Sequence, residues 1–308
     1  MTASDFRDPR LTERRNSRTV GIDVASAREI VDLLHAEDRL VPEAVHAAAD
    51  DIAATIDLVT DVLRAGGRLL YVGAGTSGRL GTLDASECPP TFGIPPELVV
   101  GIIAGGPEAL VRSREGAEDD RDAGAAVMDA HAVSARDVVV GIAASGTTPY
   151  VHGALERAHA RGAATVLVTC ADPPASLASL CRRVIAVQVG PEAITGSTRL
   201  KAGTATKLVL NALTTGAMIR LGKTYGNLMV DLQALSAKLH DRGERIVMEV
   251  CAVDRARARE TIDAAGGSVK LAIVMARRGV DAAAGRRLLA EADGVIRRVI
   301  GDPPPVIP

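Results

Sequence analysis

Five short runs of apolar residues form the clearest pattern in this sequence. They lie at residues 68–73, 98–104, 137–142, 164–169 and 183–189. Each run is rich in Val, Ile and Leu and is apolar along most of its length, as in strands buried on both faces of a sheet. Segments with helical spacing separate the runs, and alternating strands and helices are typical of the α/β class. We therefore expect a doubly wound, five-stranded parallel sheet.

Helical spacing predicts the elements around these strands. The predicted helices cover 25–36, 42–65, 77–86, 107–131, 149–161, 173–181 and 202–222. Residues 1–22 are polar, which favours an extended arm. Beyond about residue 240 the chain is rich in Ala and Arg and carries helix-breaking glycines at 266–267, 279 and 294. Two or three short helices are expected there, before an extended or disordered DPPPVIP tail.

These patterns predict three parts of the chain. Residues 1–46 form an N-terminal arm and helix, 47–240 form the α/β domain, and 241–308 form a small C-terminal helical domain. A chain of 308 residues is long for one α/β domain and short for two.

Composition excludes several classes of protein. Lys plus Arg (36) nearly balance Asp plus Glu (38), so nucleic acid is not an expected partner. The four cysteines are scattered and the six histidines show no ligand spacing, so neither a metal site nor a disulfide framework is expected. No apolar stretch is long enough to cross a membrane, and no signal peptide is visible, which favours the cytoplasm. Aromatic residues make up only 2% of the chain, so Ala, Val, Leu and Ile must pack the core.

Three loops combine glycine with hydroxyl side chains. They follow the first, third and fifth predicted strands, at 73–79, 144–149 and 196–201. Ligands of open parallel sheets bind beyond the carboxyl ends of the strands, and backbone N–H groups at a helix start hold phosphate well. Ordinary strand-to-helix turns with capping hydroxyls are the plainer interpretation, but three such loops at one edge favour a phosphate site. The candidate substrate-binding residues are Gly75, Thr76, Ser77, Ser145, Gly146, Thr147, Thr148, Ser197, Thr198 and Lys201.

A dinucleotide is a weaker interpretation of the first loop. Gly73, Gly75 and Gly78 match the GxGxxG pattern, which is a weak signal alone. A dinucleotide site also needs an acidic residue after the second strand, where this chain has Ile103 followed by Ala and two glycines. The hydroxyl groups next to the glycines suit a phosphomonoester better.

Two glutamates are candidate acid–base groups. Glu87 lies between small residues and a Pro-Pro pair, and Glu118 lies in an acidic EGAEDD segment. From composition alone, both are most simply solvated surface acids.

Five long blocks of the sequence carry a resemblance to a known family. They are LTERRN (11–16), GAGTSGRLGTLDASECPPTFG (73–93), GIAASGTTPY (141–150), GPEAITGSTRLKAGTATKLVLN (190–211) and GNLMVDL (226–232). In order and spacing they closely resemble the N-acetylmuramic acid 6-phosphate etherases of the SIS (sugar isomerase) superfamily. One departure is Thr147, where the family loop usually has Arg.

The resemblance implies a function and roles for the two glutamates. The family cleaves the D-lactyl ether at C3 of N-acetylmuramic acid 6-phosphate with water, giving N-acetylglucosamine 6-phosphate and D-lactate, in the recycling of cell-wall amino sugars. It is a carbon–oxygen lyase reaction with no metal or organic cofactor. The resemblance places Glu87 as the acid that protonates the departing lactate and Glu118 as the second acid–base group. It also implies a homodimer with residues of both chains near each site.

Two other functions remain open within the superfamily. A sugar-phosphate isomerase needs a base near C2 but no acid at a C3 ether. A regulator such as the glucokinase regulatory protein binds sugar phosphates without catalysis, although that protein is much longer and has two phosphosugar domains.

Overall fold

The computed structural model describes residues 11–232 and 237–305, and these divide into two compact units. The first unit contains residues 11–86 and 97–214, and the second contains 87–96 and the described part of 215–305. The domain limits expected at 46/47 and 240/241 stay predictions. Within the described residues, no helix is both long and apolar enough for a bilayer span.

A five-stranded, all-parallel sheet forms the centre of the first unit, as predicted. Its strands are β1 (Leu69–Gly73), β2 (Val99–Ile103), β3 (Val138–Ile142), β4 (Ala164–Thr169) and β5 (Arg183–Ala186). The order across the sheet is β2-β1-β3-β4-β5. The last residue of β1, Gly73, pairs with Ile103 of β2 and with Ile142 of β3. The loops that follow these three strands therefore leave the sheet at one level.

The helices of the first unit follow the predicted alternation. They are α1 (Ala27–Asp38), α2 (Val41–Ala47), α3 (Ala49–Arg64), α4 (Gly75–Phe92), α5 (Arg121–Ala130), α6 (Pro149–Ala160), α7 (Ala175–Ala178) and α8 (Lys201–Arg220); the last turns of α4 and α8 belong to the second unit. Both faces of the sheet are covered, as a doubly wound sheet requires. Leu70 and Val72 pack in a buried cluster with α6, whereas Tyr71 lies against Gly81 of α4.

Several details of the predicted elements are wrong, among them the helix at 42–65, which is two helices, α2 and α3, separated at Ala48. The single helix expected at 107–131 is a 3₁₀ turn at Pro107–Leu110, an irregular segment and then α5. Gly116 in that segment has φ +75°, and the side chain of Asp120 starts α5 by accepting a hydrogen bond from the amide of Ala123 at 2.8 Å. Helix α4 starts earlier than the 77–86 predicted, because its first turn is the glycine loop itself, and it ends later because Pro89 and Pro90 lie inside the helix and do not end it. The described part of the expected arm forms 3₁₀ turns at Leu11–Glu13, Ser17–Thr19 and Ile22–Val24.

Glycine allows α5 and α6 to pack backbone against backbone. A Cβ atom at Gly124 of α5 would overlap the carbonyl oxygen of Tyr150, and one at Gly153 of α6 would overlap that of Arg121. The core contains few aromatic side chains to fill the space between helices. The helix backbones therefore approach each other closely, which keeps the interior densely packed. The start of α6 and the segment before α5 are thereby fixed to each other.

A buried ion pair joins the N-terminal segment to the start of α8. Glu37 of α1 and Lys201 of α8 are both almost fully buried, and the Lys201 ammonium lies 2.6 Å from the Glu37 carboxylate. Arg18 donates Nη2 to the same oxygen of Glu37 at 2.8 Å and Nε to the other oxygen at 2.5 Å. Hydrogen bonding from Arg18, helped by Lys201, lowers the pKa of Glu37 to about 2.

Further hydrogen bonds attach the same segment to the loop before α8. The side chains of Asn16 and Thr19 donate to the carbonyl oxygens of Pro191 and Ala193, at 3.1 and 2.7 Å. The buried carboxylate of Glu192 accepts hydrogen bonds from the amides of Lys201 and Ala202, and so caps α8. The residues before α8 are therefore held on both sides.

Besides the last turns of α4 and α8, the described residues of the second unit form five helices and a small hairpin. The helices are α9 (Ala237–Cys251), α10 (Arg255–Ala264), α11 (Val269–Arg278), α12 (Ala282–Glu291) and α13 (Ile296–Ile300), and the hairpin pairs β6 (Thr224–Tyr225) with β7 (Leu228–Met229). The expected breaks at 266–267, 279 and 294 are confirmed, and all these glycines have positive φ. Two or three helices were too few, because helices as short as α13 leave little periodic signal. The last three residues of the predicted tail, 306–308, lie outside the described residues.

We predict that Glu37→Gln lowers the free energy of unfolding by about 3–5 kcal/mol, because it leaves the Lys201 ammonium buried without a carboxylate. The ordinary pKa of 4.5 falls to about 2 in the folded chain, so the carboxylate stabilises fully above pH 4.5 and progressively less as pH falls toward 2. Urea unfolding between pH 2 and 7 should therefore show a steeper acid loss in the parent chain than in the variant.

Asp32→Asn provides the matched control for this substitution. Asp32 pairs with Arg28 on the exposed face of α1, so its loss should change stability by less than about 0.5 kcal/mol. Equal stability of the Glu37→Gln variant and the parent chain at neutral pH would contradict the prediction.

Candidate functional site

The first glycine loop turns directly into α4. Gly75 has φ +53°, and a Cβ atom at Gly78 would lie 2.6 Å from the carbonyl oxygen of Gly73. Only glycine fits at Gly78, since the first turn of α4 lies on the end of β1. The first backbone N–H groups of α4, including those of Thr76 and Ser77, have no partner within the helix and are suited to an anion.

The loop after β3 brings two hydroxyl groups together. The Ser145 and Thr147 hydroxyls are 3.0 Å apart, and Ser145 Oγ accepts a hydrogen bond from the Thr147 amide at 3.2 Å. Gly146 has φ +71°, and its carbonyl oxygen lies 3.0 Å from His152 Nε2. Thr148 precedes α6, and its side chain makes no capping hydrogen bond. His152 supports this loop from α6, a role that its sequence spacing does not indicate.

A cavity of 330 Å³ opens beside the loop after β3. Ser145 and Thr147 line it together with Arg14 of the N-terminal segment. The other lining residues are Leu11, Ala171, Asp172, Pro173, Pro174 and Gln188. Arg14 lies in the LTERRN block, but no pattern in the sequence indicates that it lines a cavity with these hydroxyl groups.

Glu118 lines a second cavity, of 390 Å³, which we call the Glu118 cavity. Its lining residues are Ala74, Gly75, Arg79, Ala104, Ala109, Ser113, Arg114, Glu115, Gly116, Ala117 and Glu118. The structure therefore brings Glu118 to the same cavity as Gly75 of the first glycine loop. The carbonyl oxygen of Glu118 accepts a hydrogen bond from the Tyr150 amide at 3.0 Å, which ties Glu118 to the start of α6.

Glu87 occupies a different part of the chain from these loops. It is exposed on α4, in the stretch 87–96 that belongs to the second unit. One turn before it, Asp84 is buried and receives hydrogen bonds from Asn211 at 2.8 Å and Thr214 at 3.3 Å. Burial raises the pKa of Asp84, and the hydrogen bonds from Thr214, Asn211 and Tyr71 oppose that rise.

The loop after β5 separates its candidate residues. Ser197 and Thr198 are half-buried in the loop, whereas Lys201 is fully buried and its ammonium pairs with Glu37. The Gly196 amide donates to the carbonyl oxygen of Thr12 at 3.2 Å, so the N-terminal segment also holds this loop. The assignment of Lys201 as a substrate contact stays a prediction.

Two family models define the class of this site. Residues 117–216 match the SIS domain, and residues 51–159 match the N-terminal SIS domain of glucokinase regulatory protein. Together they cover the parallel sheet and the three hydroxyl-rich loops.

Relatives along nearly the whole chain identify the family. The chain is 51% identical over 290 residues to the N-acetylmuramic acid 6-phosphate etherase of Serratia proteamaculans, covering 94% of this chain and 97% of the relative. It is 51% identical to that of Klebsiella aerogenes over 95% of this chain and 97% of the relative, and 50% identical to that of Mycolicibacterium smegmatis over 94% and 97%. The chain belongs to the N-acetylmuramic acid 6-phosphate etherase family.

Among solved structures, a phosphoheptose isomerase from Neisseria gonorrhoeae is 21% identical with a TM-score of 0.49, covering 62% of this chain and 98% of the other.

We predict that Ser145→Ala weakens binding of N-acetylglucosamine 6-phosphate by about 1–3 kcal/mol, the cost of losing one hydrogen bond to a charged group. Isothermal titration should show this loss for the phosphosugar. Ser179→Ala, at an exposed serine after α7, is the control and should bind as the parent chain does. Unchanged affinity in the Ser145 variant, or equal binding of the unphosphorylated sugar by the parent chain, would exclude Ser145 as a phosphate ligand.

Proposed function

We propose that this protein is an N-acetylmuramic acid 6-phosphate etherase. It cleaves the D-lactyl ether at C3 of its substrate with water and releases N-acetylglucosamine 6-phosphate and D-lactate. The observation that carries this proposal is the identity of about one half, over nearly the full chain, to relatives that bear this name. The position of Glu118 in a cavity with the first glycine loop supports it.

The reaction avoids direct displacement of a poor leaving group. In the open-chain sugar, C1 is an aldehyde and the C2 proton is acidic. A base removes that proton, and the lactyl oxygen then leaves from C3 when an acid protonates it. Water adds to the unsaturated aldehyde by the same steps in reverse. Each proton transfer is general acid or base catalysis, typically contributing about 10²–10⁴-fold.

The phosphate holds the sugar so that these transfers take place at fixed atoms. We assign the phosphate to the loops after β1 and β3, through Ser77, Ser145 and Thr148, with Thr76 and Gly146 adding contacts. Gly75, Thr147, Ser197, Thr198 and Lys201 complete the proposed substrate-binding set. Because binding energy at the phosphate is independent of the reacting carbons, it serves to position C2 and C3.

Glu118 is the proposed base at C2. It shares its cavity with Gly75, and the hydrogen bond from the Tyr150 amide fixes its backbone relative to the loop after β3. Phosphate bound between the two loops would place the sugar carbons toward this cavity. Glu87 is the proposed acid at the lactyl oxygen.

The homodimer is part of the proposal, with Glu87 supplied by a second copy. The base and the acid must act on neighbouring carbons. Helix α4 carries the chain roughly 16 Å from Gly75 to Ser86, the residue before Glu87, at 1.5 Å per residue. A two-fold dimer that pairs the α4 end of one copy with the Glu118 cavity of the other satisfies this constraint at both sites.

A sugar-phosphate-binding regulator is the second candidate. The match of residues 51–159 to the N-terminal SIS domain of glucokinase regulatory protein favours it. A regulator would bind the phosphosugar without releasing lactate. An isomerase would exchange the C2 proton but would also release no lactate. An assay of lactate release from the muramic acid phosphate therefore distinguishes the etherase from the other two, and exchange of the C2 proton distinguishes the isomerase from the regulator.

We predict that the two glutamates have separable roles. Glu118→Ala should abolish both lactate release and exchange of the C2 proton of N-acetylglucosamine 6-phosphate in deuterated water, because both need the base. Glu87→Ala should abolish lactate release and keep part of the exchange, because exchange of the C2 proton does not require protonation of an ether oxygen. Coupled lactate detection and proton NMR measure the two reactions on the same samples.

Two results would contradict this division. Exchange lost in the Glu87 variant and retained in the Glu118 variant would reverse the roles. Full activity of either variant would remove that residue from the mechanism.

We predict that the inactive Glu87→Ala and Glu118→Ala chains restore activity when they are expressed together. Half of the dimers formed at random are mixed, and in each of these one of the two sites has both glutamates, so about a quarter of the parent activity should return. Sedimentation at micromolar concentration should show the dimer itself. Activity that stays absent in isolated mixed dimers, or a fully active monomer, would exclude a site shared between copies.

A further inference from the structure

The substrate of the proposed reaction carries a second anion besides its phosphate, and the phosphate is the only anion assigned so far to the hydroxyl-rich loops. Its lactyl carboxylate is joined to C3 through the ether oxygen, a few bonds from the C2 proton that Glu118 would remove. A carboxylate taken out of water needs a cation or several hydrogen-bond donors. The partner must therefore lie close to the Glu118 cavity.

Two arginines line that cavity among the residues described, and they differ in what they already bind. Arg79 of α4 donates Nε to the carbonyl oxygen of Leu110 at 3.1 Å and Nη2 to that of Ala109 at 2.8 Å. Its guanidinium is thus used to hold the 3₁₀ turn at Pro107–Leu110 in place. Arg79 is a structural group of the cavity wall.

Arg114 has most of its guanidinium available. Nη1 donates to the carbonyl oxygen of Gly105 at 3.1 Å, and no other described residue accepts a hydrogen bond from this side chain. The stem lies close to Gly105, where a Cβ atom would come within 3.0 Å of Arg114 Cδ. The side chain is therefore anchored at one end, and the Nε and Nη2 edge remains for a ligand. Two parallel N–H groups on one edge match the two oxygens of a carboxylate.

The charges of the cavity agree with such a ligand. Glu115 and Glu118 line it together with Arg79 and Arg114, so the formal charges cancel. Two carboxylates alone would repel a third. With two guanidinium groups present, the cavity can accept a third carboxylate.

We propose that Arg114 binds the lactyl carboxylate of the substrate and is a specificity-determining residue of the reaction. This inference rests on the proposed function. Holding the carboxylate at one end and the phosphate at the other restricts rotation about the C2–C3 bond, so that the bond from C3 to the ether oxygen lies parallel to the electron pair left at C2 when the proton departs. It also makes the site prefer the lactyl ether over the same sugar without it.

Arg114→Gln tests this role, because one of two measurable reactions lacks the carboxylate. Lactate release from N-acetylmuramic acid 6-phosphate should fall about 10- to 100-fold in kcat/KM, the expected effect of losing a charge-assisted pair. Exchange of the C2 proton of N-acetylglucosamine 6-phosphate should stay within about twofold of the parent, because that sugar has no lactyl group. Retained exchange also shows that the variant is folded.

A neutral substrate analogue gives a second, independent measurement. When the lactyl carboxylate is replaced by its carboxamide, the kcat/KM of the parent chain should fall by most of its value. The already reduced kcat/KM of the Arg114→Gln variant should be nearly the same for the two substrates. Arg112→Gln is the matched control, since Arg112 is also exposed in the same segment but does not line the cavity. It should retain both reactions.

Each contrary result has a distinct meaning. Unchanged lactate release in the Arg114 variant, or release and exchange reduced by the same factor, would overturn the assignment of Arg114. An equal penalty for the carboxamide in parent and variant would also overturn it. Exchange without any lactate release in the parent chain would instead refute the proposed function, and this inference with it.

Discussion

The parallel pairing of β1 with both β2 and β3 is the constraint on which the site depends. Because Gly73, Ile103 and Ile142 lie opposite one another, three loops leave the sheet at the same level. Neighbouring strands are about 4.8 Å apart, so groups at the ends of β1 and β3 can bind one phosphate. A shift of one residue in this register would move one loop along the sheet and exchange the faces of its strand, which the buried core does not tolerate.

Small residues fix the positions of the segments that lie at this edge of the sheet. Gly124 and Gly153 allow α5 and α6 to touch through their backbones, and the Tyr150 amide then reaches the carbonyl oxygen of Glu118. The glutamate stands on an irregular segment, yet both of its flanking regions are attached to rigid helices. A loop fixed in this way can position a reactive side chain without belonging to an element itself.

Local pattern predicted the sheet well because buried parallel strands are apolar along their length and are bounded by glycine. All five strands were confirmed, whereas the assignment of the hydroxyl-rich loops to a phosphate stays a prediction. The pattern failed at 107–131. Apolar residues at helical spacing predict one helix there, but Gly116 and the Asp120 cap interrupt it. The pattern also gave no sign that Lys201 lies against Glu37 or that Arg14 lines the cavity beside Ser145, since these contacts join residues far apart in sequence. Such long-range partners follow only from the fold.

The ion pair of Glu37 with Lys201 also sets an order of events while the chain is being made. The two residues are 164 positions apart, so a ribosome adds the lysine roughly 8–30 s after the glutamate at 5–20 residues per second. During that interval α1 and the preceding 3₁₀ turns have no α8 to pack against, and the Glu37 carboxylate stays in water. The first described elements to be synthesised are therefore among the last to reach their final contacts, and the nascent chain must keep them soluble until all five strands and the start of α8 have emerged.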